Sequence, residues 1–424
     1  MKVTICAFDA PNNLDGPTTW IKRLLPYFRE KNIESRIIFL AAHDKELPAY
    51  RYFVEEGFKC KLIYWELFND EKILAILNDV KEFPPDVFIT NYFAIPLEAG
   101  KWIKKAGIPT VMVLHNDNKY HYDLVKKYAS NNDESDVSSV VCVSNLIQQI
   151  SQQTAPQHKS IKYIPIGAPV TSEVAEPSAD GELKVVYAGR IDEKQKRISD
   201  VAHAFCLAAA AVPGTSYTIY GDGPAVPAVQ EILSTAGKDL PVQFKGKLKS
   251  TEVQAHLLQN QVFVLLSEFE GLPITLMEAM SCGLISVCTN MRSGISDLIT
   301  NNVEGILIDD RKDEFVAAIK KLKENPALWK EMSQAARQKI IKSYSIETCS
   351  NQMIDLLKQL SADAGKKSEL IQPSLIELKK IRLDSAFKGQ DNPRPAEILV
   401  PFYKIKYMLG RLKRNLFKPK KLRY

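Results

Sequence analysis

Apolar residues in this chain fall into short continuous runs, separated by longer stretches with helical spacing. Over the first 168 residues the runs are ICAF, RIIFLA, KLIYW, DVFIT, TVMVLH and VVCV. Their length and β-branched content predict strands buried on both faces, and amphipathic stretches such as Thr18 to Lys31 predict the helices between them. That alternation is the pattern of a doubly wound parallel sheet. The stretch TSEVAEPSADGE that follows is rich in Ser, Pro, Gly and acids and reads as a linker. The alternation then restarts with Leu183 to Ala188 and continues through Tyr217 to Gly221, Phe244 to Leu248, Val262 to Leu266 and Leu284 to Thr289. Helical patterns occupy Asp310 to Ser343 and then YSIETCSNQMIDLLKQL.

The densest chemistry lies between residues 261 and 310. Glu270 and Gly271 sit between a predicted strand and a helix whose first turn suits Pro273, and a second carboxylate, Glu278, follows eight positions after the first. Cys282-Gly283 ends that helix, and Ser293-Gly294 opens the next after another buried strand. In an open parallel sheet, ligands bind beyond the carboxyl ends of the strands, where helix N-termini offer free N–H groups to phosphates. Carboxylates without metal-ligand histidines beside them suit hydroxyl groups. Together these features predict a ligand that carries both phosphate and sugar. Other candidates stand at strand ends. Gly189-Arg190 follows a strand, and Lys196 lies six residues on; as a bidentate fork and a compact charge they suit a diphosphate, whereas Lys194 and Arg197 read as solvated. His115 ends its run, and the polar Asn116, Asp117 and Asn118 behind it predict an exposed loop, although a lone histidine is more often structural. Gly16, Gly221 and Gly246 serve ordinary turns or ligand loops equally well on the residues alone. Gly221-Asp222-Gly223 fails as a dinucleotide fingerprint, because its sixth position is Val226.

The segment resembles the signature of glycosyltransferase family 4, retaining enzymes with the GT-B fold: E-x7-E at Glu270 and Glu278, then A-M-x-C-G-x-x-x-V at Ala279 to Val287. It departs where many members have Gly-Gly and this chain has Ser293-Gly294. YIPIGAPV resembles the I-P-N-G-V segment that ends the family's first domain, with Ile166 in place of Asn. The resemblance reaches to about residue 362. It implies an α/β architecture of two Rossmann-like doubly wound domains facing a cleft: an acceptor-side domain over 1–168, a nucleotide-sugar-binding domain over 169–345 and a crossover helix over 346–362. It implies transfer of a hexose-type sugar from a nucleotide-diphosphate sugar, UDP- or GDP-linked, to an acceptor hydroxyl with retention. Arg190 and Lys196 would then stabilise the departing diphosphate with the N–H groups at Ser293 and Gly294. Glu270, with Gly271 and Leu272, would orient the sugar, Glu278 the ribose, and His115 would contact the donor sugar. The loop at Gly16 would face the donor phosphates, with the turns at Gly221 and Gly246 near the nucleotide. No cofactor or metal is expected; no Asp-x-Asp stands at a strand end.

Composition narrows the partners. The chain has 424 residues, 45% hydrophobic and 25% charged, as in a globular protein with well-buried cores. Its seven cysteines are scattered, odd in number and never in a Cys-x-x-Cys pair, so reduced thiols in a cytoplasmic setting are expected, without a zinc site. The first strand is too short for a signal peptide, and no apolar run has the length of a membrane span. The net charge of +6 is uneven, since Phe402 to Tyr424 holds nine Lys or Arg and no acid. The basic extension 363–424 shows a helical pattern from Ser374 to Phe387, a breaker at Gln390 to Pro395, and a stripe of Ile405, Met408, Leu409, Leu412 and Leu416. Three readings compete for its end: a peripheral helix on anionic lipid at the inner face of a membrane, a helix packed on the enzyme body, and, least favoured, nucleic-acid binding. Polysaccharide or glycolipid synthesis with a glycan or lipid-linked acceptor follows from the tail and the resemblance. The rivals are a nucleotide-binding scaffold of the same fold without turnover, a glycosidase and a dehydrogenase.

Overall fold

The computed structural model describes residues 1–10, 16–42, 46–133, 135–249, 251–383, 387 and 391–393. The buried runs of the first half form β1 (Lys2–Asp9), β2 (Glu34–Ala41), β3 (Lys59–Tyr64), β4 (Val87–Ile89), β5 (Thr110–Leu114), β6 (Ser139–Cys142) and β7 (Ile161–Tyr163). They pair in parallel in the order β3-β2-β1-β4-β5-β6-β7. The second half repeats the plan with β8 (Leu183–Ala188), β9 (Thr215–Tyr220), β10 (Val242–Gly246), β11 (Val262–Leu265), β12 (Ile285–Thr289) and β13 (Gly305–Ile308), ordered β10-β9-β8-β11-β12-β13. These too are parallel. Each sheet reverses direction once, between β1 and β4 and between β8 and β11. At those switch points neighbouring connections leave on opposite faces and open a crevice at the carboxyl edge. The two crevices locate the site.

An apolar cluster on the first sheet continues through Leu272, Leu276 and Met280 to Met353 and Leu357, so the domains share a core. A second cluster around Phe205, Ile219, Val264 and Phe315 fills the other side of the second sheet. The segment between β7 and β8 is irregular, as its composition predicts. The predicted helical stretch after β13 is two helices, Asp313–Glu324 and Pro326–Lys339, then a π turn at Ile340–Tyr344 and a helix at Ile346–Asp363 that crosses back onto the first domain. The outgoing and returning chains bind each other: Ala168 N–H donates to the Tyr344 carbonyl at 2.8 Å, and Ile346 N–H to the Ala168 carbonyl at 2.9 Å. Gly167 has φ +80°, and a Cβ there would lie 2.8 Å from Ile346 Cα, so only glycine fits this crossing.

The extension differs from its sequence reading. A helix from Ser374 to Phe387 is predicted; the observed helix is Leu375–Lys379, begun by a capping box between Ser374 and Glu377. The apolar side chains of this segment are spent on docking. Leu370, Leu378, Leu383 and Phe387 are buried against the first domain, where the Phe387 ring meets Tyr120 edge-on at 5.6 Å. Asn392 donates to the carbonyls of Glu66 and Leu67 at 2.8 and 3.0 Å, and Asn69 N–H donates to the Asn392 carbonyl at 2.9 Å. The described part of the extension is therefore packed on the first domain. The basic helix expected over Phe402 to Tyr424 lies outside the described residues. Among the described residues no helix is long and apolar enough to cross a membrane.

Candidate active site

At the switch point of the second sheet, Arg190 follows β8 and Glu270 follows β11. The loop 189–197 is fixed from below by close backbone approaches. Gly221 N–H donates to the Gly246 carbonyl at 2.8 Å. A Cβ on Gly221 would come within 2.0 Å of the Gly189 carbonyl, and one on Gly223 within 2.3 Å of the Ile191 carbonyl. These glycines, and Gly246 at φ +74°, let three strand ends converge. Tyr187 donates its hydroxyl to the Arg190 carbonyl at 2.7 Å.

Lys196 Nζ stands 2.6 Å from Glu270 Oε1, with side chains only 14% and 6% exposed. Gln195 Nε2 donates at 3.2 Å to Glu270 Oε2 and to the Phe269 carbonyl, while its own carbonyl oxygen accepts from Arg190. Arg190, Gln195, Glu270 and Lys196 thus form one hydrogen-bonded chain. Lys196 and Glu270 are its buried end; Arg190 is its rim, 54% exposed and 3.5 Å from Asp192. Arg311 braces the loop behind it, donating to the Leu266 carbonyl at 3.1 Å and pairing with Glu268 at 2.9 Å.

The first sheet supplies the opposite wall. His115, at the end of β5, was expected on an exposed loop; it is buried, because only the chain behind it turns outward. Its side chain lies between the rings of Trp20 and Tyr92, at 5.5 and 5.6 Å, and its Nε2 is 2.8 Å from Asn91 Oδ1. Asn91 donates its own amide to the Cys6 carbonyl at 3.2 Å, which fixes Oδ1 as the acceptor and puts the imidazole proton on Nε2. Burial, helped by nearby His121, lowers the His115 pKa to about 3, so the ring is neutral. Its Nδ1 is left as a buried acceptor with no partner among the described residues.

The walls meet at Gly271. A Cβ there would lie 2.2 Å from the His115 carbonyl. Gly294 N–H donates to the Gly271 carbonyl at 2.8 Å, a Cβ on Gly294 would touch Ser144 at 3.0 Å, and Leu272 is buried beside them. Asn145 clasps Asp297 through its N–H at 2.7 Å and its amide at 3.2 Å. Two details depart from the sequence reading. Pro273 precedes the helix Ile274–Ser281 rather than starting it. The helix after Ser293-Gly294 is a single turn, Ile295–Leu298, whose Ile295 N–H is already taken by Ser293 Oγ at 3.1 Å. So short a helix has little dipole, and any anion there would be held by individual N–H groups.

Residues 171–339 match the family model of the glycosyl transferases group 1. The second half of the chain thus carries a glycosyl transferases group 1 domain. It is 25% identical over 316 residues to the lipopolysaccharide 1,6-galactosyltransferase of Escherichia coli, covering 70% of this chain and 82% of that one. It is likewise 25% identical over 304 residues to the putative teichuronic acid biosynthesis glycosyltransferase TuaC of Bacillus subtilis, covering 68% and 73%. The crystal structure of Anabaena HepE in complex with UDP and glucose superposes with a TM-score of 0.68 over 85% of this chain and all of that one, at 16% identity. The fold is that of GT-B glycosyltransferases, two Rossmann-like domains across a cleft.

Most of the residues singled out in this glycosyltransferase's sequence come together. Glu270, Lys196, Arg190 and Gly271 share one loop cluster, with His115, Leu272, Ser293 and Gly294 against it. Gly16 begins the helix Gly16–Glu30 at the first sheet's crevice, 3.5 Å in Cβ terms from the Ile274 side chain. Glu278 is set apart from the cluster: it is ion-paired with Arg23 of that helix. Sequence reasoning missed Arg23, Asn91, Trp20 and Gln195. Gln195, directly before Lys196, was the one available signal; Arg23 reads as an ordinary polar position on an amphipathic helix.

Proposed function

We propose that this enzyme transfers a hexose-type sugar, with retention, from a UDP-sugar to a hydroxyl of a cell-envelope glycan or glycolipid. In this reading residues 1–168 form the acceptor side, and 169–345 hold the donor. The observation that carries it is the hydrogen-bonded chain of Arg190, Gln195, Glu270 and Lys196 at one switch point, buried at its Glu270 and Lys196 end and closed against a neutral His115 from the other. When the anomeric C–O bond breaks, negative charge grows on the diphosphate and positive charge on the sugar ring. Arg190, at the rim, and Lys196, held beside Glu270, meet the first from positions set before the reaction. Glu270, with the backbone of Gly271 and Leu272, accepts sugar hydroxyls. His115 Nδ1 is a bare acceptor for another. Glu278 takes the ribose. A phosphate oxygen of the donor receives the acceptor's proton as the new bond forms, so no protein base is required, and no metal enters the scheme.

The envelope reading is supported by the names of the relatives, which include enzymes of lipopolysaccharide, amylovoran and teichuronic acid synthesis. UDP is supported by its presence in the HepE complexes. A lipid-linked acceptor at the inner membrane face agrees with the nine basic residues of 402–424. The test is a panel of UDP- and GDP-sugars scored for thermal stabilisation and donor consumption. One UDP-hexose should do both; stabilisation by UDP with no consumption of any donor, even with acceptor glycans, would replace the enzyme by a binding scaffold.

A further inference from the structure

Arg23 is the one cation of the first domain that reaches the donor half of the molecule by a described ion pair while 11% exposed. It stands on the helix Gly16–Glu30, between the buried Trp20 and Leu24. Its two terminal nitrogens are divided. Nη1 donates to the Gly167 carbonyl at 2.6 Å, where the chain crosses between domains, and Nη2 binds Glu278 Oε1 on the helix Ile274–Ser281. One guanidinium therefore holds the first domain, the crossing and the second domain together.

Neither partner is comfortable alone. Burial raises the pKa of Glu278, with Arg23 opposing the shift, and burial lowers that of Arg23. Arg23 thus offsets part of the cost of burying the carboxylate. Arg23 takes only Oε1; among the described residues no hydrogen bond to Oε2 is made.

We infer that Arg23 is a positioning residue: it orients Glu278 so that Oε2 receives the ribose of the nucleotide, and it ties that contact to closure of the two domains. The inference rests on the proposed role of Glu278 as the ribose acceptor. Opening the domains would draw the Gly16–Glu30 helix away from Glu278 and break the pair. Nucleotide and closure thus use the same carboxylate, one oxygen each, and by linkage each strengthens the other.

The test uses the full chain and two probes, UDP and its analogue lacking both ribose hydroxyls, with affinities read by calorimetry. Two hydrogen bonds to a buried carboxylate make the wild type prefer UDP by at least about tenfold. In Arg23→Gln and in Glu278→Gln that preference should fall below about threefold, and in Arg23→Lys, which can reach only one of the two partners, it should be intermediate. Ligand-free Arg23→Gln should also scatter X-rays as a more open particle. A simple loss of stability would weaken both probes alike and leave the ratio untouched, so an unchanged ratio in Arg23→Gln, with loss in Glu278→Gln, overturns the inference while sparing the ribose role. An unchanged ratio in Glu278→Gln overturns the ribose role and the inference with it. If Arg23→Gln fails to fold, Arg23→Lys decides: a wild-type ratio refutes the claim.

Discussion

Replacing Gly271 with Ala puts a methyl group between the two domains where their backbones approach closely. The added Cβ would sit 2.2 Å from the His115 carbonyl oxygen and 3.3 Å from Asn116 Cα. Ordinary contact begins at 3.4 Å, so the loop after β11 must withdraw from β5 by about 1 Å. The obstacle is backbone and cannot rotate aside; overpacking of this kind costs about 1–3 kcal/mol. The displacement is not local. Glu270 is the adjacent residue, held 2.6 Å from Lys196, and the Gly271 carbonyl accepts from Gly294 N–H at 2.8 Å. Moving positioned groups by about 1 Å is enough to lower catalysis about 100-fold. The assay is kcat/KM for the donor identified by the panel, with thermal unfolding alongside. Gly365→Ala is the control, because nothing lies within 4 Å of its added Cβ. Gly271→Ala should lose about two orders of magnitude in kcat/KM with a modest drop in Tm. Activity within threefold of wild type would refute the claim that the His115–Gly271 contact sets the active geometry.

Lys196→Met or Glu270→Gln alone leaves a partner charge buried and should cost about 3–5 kcal/mol in denaturant unfolding as well as abolishing transfer; the double variant should recover much of the stability and none of the activity. His115 and His121 both have pKa values lowered to about 3 by burial. The unfolded chain therefore binds more protons once the pH falls below about 6.5, and stability declines from there toward pH 3, by about 2 kcal/mol per histidine at pH 5. Denaturation midpoints at about pH 7.5 and about pH 5 measure this, and equal midpoints would contradict it. Phe387→Ala should destabilise by about 3 kcal/mol, because the ring is 1% exposed and contacts both Tyr120 and Tyr128; a change under about 1 kcal/mol would show that the extension is not docked. Deleting Phe402 to Tyr424 should weaken sedimentation with anionic liposomes, and unchanged binding would remove the membrane role of that tail.

The two parallel sheets could be read from the sequence because strands buried on both faces leave continuous apolar runs, and both switch points then follow from strand order. Glu270 and Arg190 were legible for the same reason: each stands one short loop beyond such a run. What failed to show depends on distant contacts. His115 has polar followers, so its loop looked exposed, yet its side chain points back toward Trp20 and Asn91. Arg23 lies on a helix where charged residues usually meet solvent, and nothing local announces that Glu278, 255 positions later, will neutralise it. Leu370, Leu378, Leu383 and Phe387 are spaced to fit the first domain's surface and not a helix, which is why a longer helix was expected there.

The central claim is that fixed cations receive the departing diphosphate. Arg190 tests it best, since its half-exposed side chain can be replaced without emptying the core. Calorimetric affinities of Arg190→Met for UDP and for uridine should separate. A charge-assisted hydrogen bond contributes about 1.5–3 kcal/mol, so UDP should bind about 10- to 100-fold more weakly than to wild type, with uridine unaffected. UDP affinity equal to that of the wild type would contradict the account.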